Sequence, residues 1–241
     1  MSDFFTMRPG EIAAPVPEGP VLCAVSAAMR RIHRVFLWAY AEAPGLARSV
    51  SAGDTERSEY VGEALGTFDR LLHMHHESED LLMYPRLQAR APACALHVAE
   101  MLAHHASVAA QLELIAPVRE AWASTADPAL GEELAVLYEQ LDETLKVHLR
   151  REVTEVTPAV EKVLTKAEWN ELVAHGRDSL ETKVVFAFIG MVLATNGPDD
   201  RVEFLDDIPI PMQQAYREVG KGLYDRQYAT LFPGREIPET M

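Results

Sequence analysis

The sequence is short of several things, and each shortage closes a class of function. It has two cysteines, Cys23 and Cys94, far apart and in no metal or redox motif. A disulfide framework is therefore not expected, and a reducing cytoplasm fits such a chain. Long apolar runs are missing too. The longest, Val184 to Ala194, has 11 residues, too few to cross a bilayer and suited to a buried or interface helix. Positive charge is scarce, with 22 Lys and Arg against 37 Asp and Glu and a net charge of −15. A surface that acidic repels nucleic acid and anionic membranes, so neither is expected as a partner. The segment 1–20 carries Pro9, Pro15, Pro17 and Pro20 and lacks the apolar core of a secretory signal; it reads as irregular. No glycine-rich nucleotide motif occurs, so any reducing equivalents would come from another molecule. Strand signals are confined to Val184 to Ile189, and helix signals flank them.

What remains is helix. The chain has 241 residues, 48% of them hydrophobic, enough for one large domain with an extension. A first helix is expected from about Val21 to Ala43, with Leu22, Val25, Met29, Ile32, Phe36 and Tyr40 spaced by three and four and Pro44-Gly45 as its end. A second runs from about Thr55 to Arg90, capped by Asp54 or Thr55, with Ala64, Phe68, Leu71, His75, Glu79 and Leu82 inward. Pro92 opens a third, carrying Leu102, His105, Val108, Leu112 and Ile115 until Pro117 kinks or ends it. Asp127-Pro128 caps a fourth, with Leu134, Leu137, Leu141, Leu145, His148, Glu152 and Val156 on one face. Beyond Leu164 the character changes. Thr165 and Glu168 form a capping box, Asp178 with Glu181 precedes the apolar run, Asn196-Gly197-Pro198 is a break, and one more helix is expected from Pro211 to about Tyr228. The fold class is all-α: a four-helix bundle over 21–165 with a helical extension over 166–241 that packs on the bundle or forms an interface.

Helices two and four share a motif. His75-x-x-x-Glu79 is followed by Pro85, and His148-x-x-x-Glu152 by Pro158, each proline six residues after its glutamate. His33 precedes His75 by 42 residues and His105 precedes His148 by 43, so a helix pair repeats: one histidine, then His-x-x-x-Glu. Residues four apart share a helix face, and both motifs lie in stripes of Leu and Phe that must enter the core. Buried carboxylates and imidazoles need compensation. A pair of metal ions supplies it, with glutamates bridging and imidazoles capping, as in bundles that hold two irons on facing helices. Nitrogen and oxygen donors without thiolate suit iron or manganese. His104 stays an alternative to His105 because Glu100 lies four residues before it. His73, His75 and His76 could be a solvated cluster, but only His75 lies four residues before Glu79 and recurs in helix four; His97 and His175 read as surface or packing residues. Arg31, Arg34, Arg150 and Arg151 read as solvated helix faces, and Tyr40, Tyr60 and Tyr138 as core residues that could donate toward the site.

The run His75-His-Glu-Ser-Glu-Asp-Leu-Leu-Met-Tyr-Pro85, together with His148-Leu-Arg-Arg-Glu152 and Pro158, resembles the hemerythrin-like (HHE cation-binding) family over about residues 21–164. The resemblance implies an up-down four-helix bundle with an oxo- or hydroxo-bridged pair of Fe ions, Mn or a mixed pair being the alternative. Its terminal ligands would be His33, His75, His105 and His148, its bridging carboxylates Glu79 and Glu152, and His76 a further ligand in some relatives. It implies reaction with O2, peroxide or NO. Met101 and Val153 stand where the oxygen carriers have a histidine and an aspartate, which moves the chain toward the branch associated with redox chemistry or sensing. The expectation is a di-iron oxidoreductase, oxygenase- or catalase-like, or else a binding or sensing protein for O2, NO or iron without turnover. Its extension would shape a substrate pocket or serve as a homodimer interface.

Overall fold

The computed structural model describes residues 12–19 and 25–240. Cys23 and the expected helix start at Val21 lie outside the described residues. Four long helical spans form the bundle. The first is α1, Val25–Arg48. The second joins α2, Thr55–Ser78, through a π-helical turn at Glu79–Met83 to α3, Tyr84–Arg90. After a 3-10 turn at Pro92–Cys94 comes α4, Ala95–Thr125. The fourth joins α5, Pro128–Arg151, through a second π-helical turn at Glu152–Val156 to α6, Thr157–Val163. Helix α1 packs on α5, α5 on α4, α4 on α2 and α2 on α1, a closed ring joined by short loops. No strand element occurs among the described residues, and no helix there is long and apolar enough to cross a membrane.

The caps agree with the sequence. Asp54 Oδ1 accepts from Arg57 N at 3.1 Å, Asp127 Oδ1 from Ala129 N at 2.7 Å, and Thr165 and Glu168 close a reciprocal capping box. Neither Pro44 nor Pro117 ends its helix. Helix α1 continues through Pro44 to Arg48, and α4 continues through Pro117 to Thr125. An interior proline costs about 3 kcal/mol. Beyond Pro44, Leu46 and Ala47 enter the core and Arg48 forks onto Glu132 at 2.6 Å and Glu139 at 2.5 Å. Beyond Pro117, Trp122 is fully buried. Burying one large apolar side chain contributes about 1.5–3 kcal/mol, so the packing gained downstream offsets the broken hydrogen bond. On α4, Leu102 was placed inward by the helical pattern but faces solvent, while Val98, Met101, His105, Val108 and Ile115 form the buried stripe.

The C-terminal chain forms α7 (Lys166–Asp178), α8 (Thr182–Thr195), α9 (Pro198–Asp207), α10 (Ile210–Ala215) and α11 (Lys221–Leu231), with a π-helical turn at Tyr216–Gly220 between the last two. Helix α7 packs on α2, and α8 packs on α1 and α11. Arg31 does not sit on a solvated face. It is 4% exposed and reaches Glu203 at 2.5 Å and Asp207 at 3.7 Å, holding α9 against α1. The apolar run lies in α8, where Gly190 lets α11 approach closely: a Cβ there would lie 2.3 Å from the ring of Tyr224. Gly190→Ala is therefore expected to cost about 1–3 kcal/mol by overpacking, read as a drop in the urea midpoint. A change below about 0.5 kcal/mol would mean that α11 shifts freely.

Candidate metal centre

Seven polar side chains converge inside the bundle, where α1, α2, α4 and α5 face one another. His33 comes from α1, His75 and His76 from the end of α2, His105 from α4 and His148 from the end of α5. Glu79 and Glu152 each open a π-helical turn. Adjacent helical residues point about 100° apart, so His75 and His76 look to opposite sides of α2's inner edge. His75 meets His33, Nε2 to Nε2 at 3.3 Å. The ring of His76 stacks on that of His105 at 3.9 Å and stands edge-on to His148 at 4.9 Å. His105 and His148 approach Nε2 to Nε2 at 3.2 Å.

The carboxylates join these two sets of imidazoles. Glu79 Oε1 lies 3.3 Å from His75 Nε2, and its Oε2 lies 3.6 Å from His105 Nε2. Glu152 Oε2 lies 3.3 Å from His33 Nε2 and 4.0 Å from His148 Nε2. Two donors each about 2.1 Å from a shared ion stand about 3.0–3.4 Å apart, the spacing found within each histidine set. Ligand atoms of His33, His75, Glu79 and Glu152 fall within 4.8 Å of one another, and so do those of His76, His105 and His148.

The electrostatics leave these groups in want of a cation. Both oxygens of Glu79, Glu152 Oε2 and His76 Nε2 are buried without a hydrogen-bond partner. A carboxylate so placed is strongly disfavoured. Burial, and then the charges of Glu152 and Asp80, push the Glu79 carboxyl well above its ordinary range. Burial also acts upward on Glu152, but the close approach of His33 and the neighbouring imidazoles outweigh it and hold this carboxyl well below the ordinary range. Burial pushes His75 and His76 well down, and His148 to about 3. Burial thus favours the neutral form of His75, His76 and His148, the form that binds metal.

Two neighbours orient the donors. Asp80 Oδ1 lies 2.7 Å from His105 Nδ1, so the ring donates there and turns Nε2 into the site. The Tyr84 hydroxyl donates to Glu152 Oε1 at 2.5 Å, leaving Oε2 to face the histidines. Neither residue follows from the sequence pattern; only the proline after each motif hints at the irregular turns that place them. Of the adjacent pair on α4, His105 is buried and His104 half-buried. Tyr40 and Tyr138 do not reach the site. Both donate to Asp69, two turns earlier on α2, at 3.2 and 3.0 Å. A third group, His97, Glu100 and Glu155, lies toward the surface, where Arg151 pairs with both acids.

The family model for the hemerythrin HHE cation binding domain matches residues 24–160, more than half of the chain. No curated protein and no solved structure matches it.

Proposed function

The chain belongs to the hemerythrin HHE cation-binding family, and from that premise we propose that it holds two irons and uses them as an oxidoreductase acting on dioxygen or peroxide. One observation carries the reading: Glu79 turns its two oxygens toward two separate imidazole sets, with Glu152 facing both. With an ion held by each set, Glu79 would be placed to ligate both. His33 and His75 would serve one position and His76, His105 and His148 the other. Neutral nitrogen and oxygen donors with no thiolate favour iron over zinc, with manganese as the competitor. Bound there, the ions would supply redox chemistry toward O2 or peroxide at the position with fewer protein donors.

The chain's own residues do the rest. Glu79 and Glu152 bring the negative charge that offsets the cations. Asp80 fixes the tautomer of His105. Tyr84 holds Glu152 in place and keeps a proton at its hydroxyl, because burial and then the charge of Glu152 push its pKa well up. The surrounding stripe of Val, Leu and Met excludes water, which strengthens every one of these interactions.

Metal analysis of the protein purified from iron-replete cells is the test. About two irons per chain are expected, with oxygen release from hydrogen peroxide or reductant-linked oxygen consumption that disappears when the metal is removed. Two irons, no turnover and a stable O2 or NO adduct would instead give a binding or sensing protein. A chain that takes up no metal would overturn both readings.

A further inference from the structure

The geometry points to a binding site for a small, uncharged aromatic molecule, in a half-open apolar cavity that the C-terminal helices form beside His75. The cavity has a volume of 210 Å³. One wall is bundle, with Met29 and Phe36 from α1 and His75 from α2; the other is Trp169 of α7, Phe188 of α8 and Met212 of α10. The second wall lies wholly beyond the residues that match the family, 24–160, so the cavity belongs to this chain's extension rather than to the shared bundle.

Its chemistry selects the occupant. The few polar side chains on the wall are already engaged. Ser78 Oγ donates to the Met74 carbonyl at 2.7 Å, Arg177 Nε donates to Asp178 at 2.8 Å, and Asp207 pairs with Lys166 at 3.2 Å. No unpaired charge is left on that wall for an ionic ligand, and burying one there would be costly. Aromatic rings and thioethers give the flat, polarizable surface that planar rings favour. An apolar cavity of about 150 Å³ holds benzene, so this one fits a substituted benzene or two fused rings. The His75 ring, already tilted over Phe36 at 5.1 Å, forms the floor. His75 Nε2 faces the carboxylates, so an occupant would lie against one flank of the proposed metal centre. That adjacency rests on the reading above; the cavity itself does not.

Indole serves as the probe, titrated calorimetrically into the full chain in metal-loaded and metal-free forms. One molecule per chain is expected in both. Gly176 lines the cavity, and a Cβ there would meet only Ser78 Oγ, at 3.4 Å, so Gly176→Leu fills the space with little strain. It is expected to weaken indole by about tenfold or more while iron content stays unchanged. Val185→Phe, on α8 of the same wall, does the same if the first variant folds poorly. Absence of saturable binding to the parent protein would overturn the proposal, as would undiminished binding to both filled variants. Tighter binding of decanoate than of indole would overturn the assignment to an uncharged ring. Iron measured on the same samples keeps the two readings apart: indole bound by a chain that takes up no metal sinks the metal centre and leaves the cavity, and two irons without indole does the reverse.

Discussion

Glu79→Gln is expected to empty the centre of metal and, in the same stroke, to make the metal-free protein more stable. The two halves follow from one fact: the Glu79 carboxylate is completely buried, and neither oxygen has a hydrogen-bond partner. Burial raises its pKa, so above the ordinary carboxylate value the unfolded chain gives up this proton more readily than the metal-free fold does. That contribution is fully present below the ordinary carboxylate pKa and is lost as pH rises through the folded one. At neutral pH the wild-type apoprotein carries the penalty. A glutamine of the same shape has no charge to desolvate, and a gain of about 1–3 kcal/mol is expected in the apo form. With metal the order reverses. Glutamine offers one weak oxygen where the wild type offers two charged ones, and affinity should fall by more than about 100-fold, beyond what loss of a merely supporting residue costs. Ligand-linked stabilisation goes with it. Glu152→Gln should differ in sign in the apo form, because Glu152 is held ionised by His33 and receives the Tyr84 hydroxyl, so removing its charge strips partners rather than relieving them. Melting curves of the two variants with and without iron, beside metal counts, decide it. A Glu79→Gln protein that keeps both irons, or an apo form weaker than wild type, would refute the bridging role.

The repeat made much of this candidate site's convergence legible before any coordinates. His-x-x-x-Glu twice, in matched register, placed His75, Glu79, His148 and Glu152 on inward faces, and the same spacing carried His33 and His105 with them. The rest was hidden by two departures from 3.6 residues per turn. In each π-helical turn a backbone N–H reaches back five residues: Tyr84 N to Glu79 O, and Thr157 N to Glu152 O. An α-helical count stacks Leu82 above Glu79, whereas the wider turn leaves Leu82 half-buried and brings Met83 and Tyr84 inside. Tyr84 therefore reaches Glu152, and no periodic pattern would put it there. The prolines at 85 and 158, lacking an N–H, are the visible trace of both turns. His76 could be read only as an extra, because adjacent residues on a regular helix do not share a face; it contributes because the site is wide enough to meet α2 on two sides. Helix α9 was missed for another reason. Its acidic first turn, with Asp199 and Asp200 behind Pro198, is a helix start, but it has no buried residue of its own and depends on Arg31 from a distant helix.

Removing the Arg119 guanidinium should destabilise the protein by an amount that grows with pH. Asp69 is buried near the middle of α2, accepts hydroxyls from Tyr40 and Tyr138, and is paired with Arg119 of α4. Gly66 lets the guanidinium lie against α2, since a Cβ there would stand 3.3 Å from it. Burial raises the Asp69 pKa from 3.8 to about 6, with Arg119 the strongest influence pulling it back. Between those values the folded protein binds a proton that the unfolded chain has released, so this group's contribution falls as pH rises through about 6. In Arg119→Met the downward pull is gone, the pKa rises further, and the window of loss extends above neutrality. Near pH 8 the variant is expected to lose about 3–5 kcal/mol, the usual consequence of leaving one member of a buried ion pair alone. Near pH 5 Asp69 is largely protonated in both proteins, and the deficit should shrink to about 1–2 kcal/mol of lost packing and hydrogen bonding. Asp69→Asn combined with Arg119→Met removes the stranded charge and should recover most of the loss at the higher pH. Urea denaturation of the metal-loaded proteins at the two pH values measures all three. A deficit equal at both would mean that Asp69 ionises freely without its partner. The polar cluster would then be solvated, and the tight packing of α4 on α2 beneath the metal centre would need another cause.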